Sequence, residues 1–324
     1  MSFFAIALAL LLEQVRPLHW GSAVHRWALA WARTCARSLD AGRSHHGWLV
    51  WAALALVPAV LAWVVHLLLI YLWGWIGHVL AFAWHVAVLY ATLGFRQFSH
   101  HFTAIRDALE AGDTPRARQL LAQWIHVDEA RIEPDHLLRT LMDHSVVAAH
   151  RHVFAVLGWY AVLAALGMGP AGAVLYRMSE LATRYFHPSS SEDPYSSIYV
   201  SSLEQRAEPL EHRLMTPTLS SSSTQDAVQT AWWWIDYVPA RMTAMGFAVV
   251  GSFEDVLDAW RQHAPSSTAD PTHDGLIQQA MLAALGIKTD LTTGHLRNMV
   301  GVVWRSVVLW LLLIALLTLA RLLG

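Results

Sequence analysis

Residues 48–70 read WLVWAALALVPAVLAWVVHLLLI, with only Pro58 and His66 breaking an uncharged apolar run. A helix needs roughly 20 such residues to cross the hydrocarbon core of a bilayer, so this stretch predicts a membrane span. Pro58 predicts a kink rather than a stop, because membrane helices can re-satisfy the backbone group that a proline frees. Composition agrees. The chain is 55% hydrophobic and 14% charged, against about 25% charged in ordinary soluble domains. Its 22 basic and 24 acidic residues leave no basic surplus, which argues against a nucleic-acid partner. The single cysteine, Cys35, excludes an intrachain disulfide and a cysteine-rich metal site.

On the C-terminal side of this span, a four-residue link from Tyr71 to Gly74 leads to a second apolar run over 75–95. So tight a link predicts a helical hairpin that returns the chain to its starting side. His78 and His85 lie seven apart on one helical face, which suits either satisfied core histidines or a proton or metal path. On the N-terminal side, FFAIALALLL (3–12) is too short to span upright and is followed by Glu13, Arg16 and Pro17 rather than a cleavage site. It reads as a short retained helix, tilted or half inserted. Five arginines against Asp40 between Arg16 and Arg43 place that segment in the cytoplasm. Within it, Trp20, Val24, Trp27, Ala28 and Trp31 form an apolar stripe with Arg26, Arg33 and Arg37 beside it. A helix at the membrane interface and a helix packed on the protein's own spans fit this pattern equally.

From Arg96 to Asp143 hydropathy falls. Phe98, Phe102, Ile105 and Leu109 make one helical face that Gly112 ends, and Asp113 or Thr114 caps the next helix, whose first position is Pro115. Pro134 and Asp135 open a long helix that becomes the third span over 146–167. Asp143, His144, His150 and His152 are of metal-ligating type, but their spacing matches no defined site and no metal is assigned. They read instead as polar residues where a helix enters the bilayer. In 169–186, Arg177, Glu180 and Arg184 share one face, so the segment lies along a cavity or the interface. Residues 187–225 are rich in serine and proline and read as a flexible insertion.

The polar surprise is AWWWIDYVPARMTAMGFAVVG (231–251), which places Asp236 and Arg241 around Pro239 in an otherwise apolar helix. Each charge is costly at membrane depth unless paired, so the expectation is a buried Asp236–Arg241 pair at a helix break. Amphipathic helices over 252–265 and 276–286 follow, and 300–320 is the last span. No phosphate-binding loop, HExxH, GxSxG or dinucleotide fingerprint occurs.

Four blocks carry a family resemblance: LLLEQV, HHFTAIRDALEAGDTPRARQLL (100–121), GWYAVLAALGMGPAGAVLYRMSEL and WIDYVPARMTA. In this order they resemble the membrane proteins CobD/CbiB, of cobalamin biosynthesis, and their relative AmpE, linked to β-lactamase induction. The resemblance covers most of the chain outside the serine-rich insertion. The CobD/CbiB pattern has a Glu-Asn and Asp-Gly cluster, an Asn-Thr-x-Asp motif and paired acids before Pro-Ala-Arg. Here the first falls at Asp143–His152 without its Asn and Gly, the second has Ser179 and Glu180, and only Asp236 precedes Pro-Ala-Arg.

The expectation is an all-α, polytopic helical protein of the bacterial inner membrane, with amphipathic cytoplasmic helices between spans. It divides into 1–186, a membrane region with a cytoplasmic helical hairpin; 187–225, the insertion; and 226–324, a second membrane region. The simplified acid pattern resembles AmpE and implies a regulatory role in cell-wall or β-lactam response, with the bilayer as partner and no cofactor. The alternative is a synthase of the adenosylcobinamide-phosphate type, joining an aminopropanol unit to a carboxylate of a corrinoid substrate, with a divalent metal as an optional cofactor. Asp236, Arg241, Glu180, Arg177 and Asp143 are the candidate polar site.

Overall fold

A computed structural model describes residues 2–15, 23–40, 44–72, 74–125, 127–186, 222–262, 272–287 and 291–323. Among these no strand occurs. The helices are α1 (Ser2–Val15), α2 (Ala23–Leu39), α3 (Ser44–Leu72), α4 (Gly74–Thr92), α5 (Phe95–Glu110), α6 (Thr114–Ile125) and α7 (Leu137–Ala149). A π-helical turn (His150–Phe154) joins α7 to α8 (Ala155–Ala165). There follow α9 (Ala171–Phe186), α10 (Ser222–Val250), α11 (Phe253–Gln262), α12 (Asp274–Ala284) and α13 (Thr293–Leu323).

Four stretches are long and apolar enough to cross a membrane: His45–Tyr71, Gly74–Thr92, Pro134–Ala165 and Thr293–Ala320. Their burial separates their roles. Between 28% and 33% of the most apolar window is buried in three of them, against 61% in Pro134–Ala165. The Pro134–Ala165 helix is therefore central, and the other three turn residues such as Leu61, Tyr71, Trp75, Val79, Leu312 and Leu316 outward toward lipid. Both internal prolines, Pro58 and Pro239, sit inside unbroken helices. The helix break expected around Pro239 is absent.

Helices α9 and α10 are not apolar enough to face lipid all round, and they are enclosed instead. The α9 helix packs along α3 and α8, and α10 packs on α3, α9 and α12. One hydrophobic core runs from Ala5 of α1 to Ile314 of α13 and draws residues from both sides of the serine-rich segment. Of the expected insertion, residues 187–221 lie outside the described residues, and Ser222–Gln225 belong to the first turn of α10.

The α5–α6 hairpin follows the sequence signals. Gly112 adopts φ +76° and donates to the Leu109 carbonyl at 3.1 Å, while Asp113 N–H reaches Ala108 at 2.9 Å. These two bonds close a Schellman motif. The same Asp113 accepts from Arg116 N–H at 3.0 Å and so caps α6, with Pro115 one position later than expected. Phe102 and Ile105 bury against Ala117, Leu121 and Ile125.

Small residues permit the closest helix approaches, as is usual between membrane helices. A Cβ added at Gly172 of α9 would lie 2.0 Å from the Trp159 carbonyl of α8, so the two backbones touch there. Gly172→Ala is expected to cost about 1–3 kcal/mol through overpacking, read as a fall in melting temperature of the detergent-solubilised chain. Gly294→Ala, where the nearest atom is 3.7 Å away on an exposed helix turn, leaves that temperature unchanged or slightly raised.

Candidate functional site

Three consecutive residues of the central helix, His150, Arg151 and His152, begin the site. Side chains one residue apart on a helix point about 100° apart, so the three reach three different helices. The π-helical turn, in which Ala155 N–H bonds the His150 carbonyl, widens the helix at this point. Such turns recur at functional sites.

His150, fully buried, links α10 at two points: Nε2 lies 2.9 Å from Asp236 Oδ1 and Nδ1 lies 2.9 Å from Thr243 Oγ1. In the neutral tautomer Nε2–H donates to Asp236 and Nδ1 accepts from the threonine hydroxyl, so every hydrogen-bonding atom of the ring is used. Arg151 donates to Asp274 Oδ2 of α12 at 2.5 Å and lies 5.6 Å from the Trp232 ring centroid. His152 accepts at Nδ1 from Arg177 of α9 at 3.1 Å and packs against Gly94, where a Cβ would lie 2.9 Å from Nδ1.

Helix α9 supplies the rest. Glu180 is 2% exposed and lies between Arg177 and Arg184, three residues before and four after, and it pairs with both. Burial alone would raise its carboxyl, but Arg177, Arg184 and His152 hold it down to about 2. Tyr176 donates to Asp236 Oδ1 at 2.9 Å. For Asp236 burial acts upward as well, and His150, Arg151 and the Tyr176 hydroxyl outweigh it and keep the carboxyl below its ordinary range.

Pro239 sits inside α10 without ending it. Pro239 lacks the N–H that would bond the Ile235 carbonyl, and Trp159 Nε1 donates to that carbonyl at 3.0 Å instead. This bond fixes α10 against α8 one residue away from Asp236.

Of the expected site residues, the structure brings Asp236, Glu180 and Arg177 into one buried cluster. Arg241 is not part of it. Five residues along an unbroken helix is about 140° of rotation, so Arg241 points away from Asp236, donates to the Tyr237 carbonyl at 3.0 Å and covers the Tyr237 ring at 3.3 Å. The expected Asp236–Arg241 pair is therefore incorrect. Asp143 also stands apart, paired at 2.7 Å with Arg139 one turn earlier on α7. His150 and His152, read from the sequence as bilayer-entrance residues, are buried partners of the acids and arginines. His78 and His85 do not share an environment: His78 bonds the Gly74 carbonyl at an exposed position, whereas His85 is buried between Tyr160 and His66.

Three acids (Glu180, Asp236, Asp274) and three arginines (Arg151, Arg177, Arg184) balance formally. Several buried atoms lack a protein partner among the described residues: Asp236 Oδ2, Asp274 Oδ1, Arg151 Nε and Ser179 Oγ. Two are acceptors, one is a donor and one is either, so a bound polar molecule would find both kinds of partner here. Among the described residues no three His, Cys, Asp or Glu side chains are grouped to hold a metal.

Double-mutant cycles distinguish the observed pairing from the expected one. Asp236→Asn with His150→Gln should show coupling within about 0.5–3 kcal/mol, and Asp236→Asn with Arg241→Gln should add within about 0.5 kcal/mol, measured as thermal or denaturant stability. The depressed Glu180 carboxyl sets a pH dependence. Its folded value lies below the ordinary 4.5, so its contribution is fully present above about pH 4.5 and is lost as pH falls toward 2. A melting-temperature profile should decline across that window, and Glu180→Gln should flatten the decline.

Comparison with known proteins accords with this architecture. The family described as CobD/Cbib protein matches residues 2–183, more than half of the chain. The cobalamin biosynthesis protein CobD of Stutzerimonas stutzeri is 25% identical over 294 residues, covering 84% of this chain and 82% of that one. The cobalamin biosynthesis protein CobD of Chromobacterium violaceum is 25% identical over 210 residues, covering 62% of this chain and 54% of that one. No solved structure matches. The match runs from α1 into α9 and takes in three of the four resembling blocks, WIDYVPARMTA lying beyond it, and on that match over more than half its length the chain belongs to the CobD/CbiB family of membrane proteins.

Proposed function

We propose that this protein acts in cobalamin biosynthesis as a membrane-bound synthase that joins an aminopropanol unit to a carboxylate of a corrinoid. The relatives it matches carry cobalamin-biosynthesis names. That supports this reading over the AmpE-like regulatory role expected from the simplified acid pattern.

The observation that carries the proposal is the charge-balanced cluster with buried hydrogen-bonding atoms at Asp236, Asp274 and Arg151 that have no protein partner among the described residues. A corrinoid bears amide and carboxylate arms, and the amine partner is a cation when protonated. Arginine donors suit the carboxylate, and the free oxygen of Asp236 suits an ammonium or amide N–H. In this scheme Asp236 orients the amine, His150 fixes the carboxylate of Asp236 in place, and Glu180 keeps Arg177 and Arg184 at the edge of the site. At 24% and 20% exposed, those two arginines are the charged groups of the cluster most open to an incoming anion.

Complementation tests the proposal. In a cell lacking its own synthase and fed cobyric acid, the chain is expected to restore cobalamin-dependent growth. Asp236→Asn should abolish growth with the protein still present in the membrane, and Arg241→Gln should leave it unchanged. Absence of growth with the unsubstituted chain, shown by immunoblot to be inserted, would overturn the synthase reading.

A further inference from the structure

Helix α2 reaches the edge of the polar cluster, where His25 lies near Arg177 and Arg184, and its outward side is a separate surface. Leu29, Ala32, Cys35 and Ala36 bury it against α3 and α9. On the outward side the two edges differ. One carries Val24, Trp27 and Trp31, with Val24 49% and Trp27 51% exposed and the two tryptophan rings stacked 6.4 Å apart. The other carries Arg26, Arg33 and Arg37 at helical spacing, and α2 contains no acidic residue.

Position decides what covers this face. The first span begins at His45, six residues after α2 ends, so the helix is held beside the point where the chain enters the bilayer. Exposed Val24 and Trp27 on one edge, with partly buried Trp31 behind them, and arginines on the other match the layering of a membrane surface, where aromatic rings occupy the boundary and cations meet phosphates.

We propose that α2 is a headgroup-binding helix lying in the bilayer surface, with Val24, Trp27 and Trp31 at the acyl–headgroup boundary and Arg26, Arg33 and Arg37 bound to anionic phospholipid phosphates. It holds the N-terminal segment flat against the membrane through lipid charge as well as through α3 and α9. This site is independent of the synthase reading.

The test uses the full chain carrying Cys35→Ala and Val24→Cys, labelled with bimane and reconstituted in phosphatidylcholine vesicles. A minor fraction of either acyl-brominated phosphatidylglycerol or acyl-brominated phosphatidylcholine is added. Both lipids are expected to quench the label, phosphatidylglycerol more per mole. Arg26→Gln, Arg33→Gln and Arg37→Gln should each reduce that preference by about fivefold, while Lys at the same positions should keep most of it. Equal quenching by the two lipids in the unsubstituted chain would overturn the headgroup assignment. No quenching by either lipid would overturn the surface placement, a water-like emission meaning that the helix stands off the bilayer and an apolar one that protein covers it.

Discussion

A carboxylate with no exposure, Asp236, sits inside a bundle built for lipid, and the arrangement of the surrounding helices follows from keeping it paired. An unpaired charge in such surroundings is prohibitively costly. His150 and Tyr176 reach it from two other helices, so α9 and α10 must both lie against the central helix rather than facing lipid. The same demand recurs at Glu180, which holds two arginines, and at Asp274, which holds Arg151. Polar helices are thereby enclosed by apolar ones. Gly172 lets α8 and α9 approach closely enough for these short bonds to form.

Two departures from regular helix geometry converge on this carboxylate. The π-helical turn at His150–Phe154 lies on one side and Pro239 on the other. Each would leave a backbone group short of a partner, and each is resolved locally. The Ile235 carbonyl freed by Pro239 takes the Trp159 indole, and the π turn keeps its own longer-range bond. Both irregularities therefore leave these backbone groups paired. They also determine where His150 and Asp236 point.

What the sequence showed depended on the range of the interaction. Spans, the α5–α6 hairpin and the helix expected over 276–286 are set by runs of apolar residues and by local capping, and they appear at or near their expected positions. The Arg177–Glu180–Arg184 ladder is equally local and was readable from spacing three and four. Arg241 departs from the expected pairing because Pro239 suggests a break, whereas α10 runs through it and turns Arg241 to Tyr237. Asp143 looked available, yet Arg139 one turn away satisfied it. Tyr176, Thr243 and Asp274 gave no signal, since their partners lie 60, 93 and 123 residues away in sequence. The polar run His150–His152 did give one, and it was assigned to the bilayer edge because nothing local named its partners.

The cluster ties α9 and α10 to the central helix without using every buried polar atom it contains. Buried polar atoms in folded proteins are nearly always satisfied, and each exception costs about 1–3 kcal/mol. Among the described residues Asp236 Oδ2, Asp274 Oδ1 and Arg151 Nε of the cluster lack protein partners, as do Trp63 Nε1 and Ser306 Oγ elsewhere. Water can satisfy such atoms. In the cluster these atoms are two carboxylate acceptors and one guanidinium donor, so the polar contacts that α9 and α10 require are closed on the Oδ1 side of Asp236 and left to non-protein partners on the Oδ2 side.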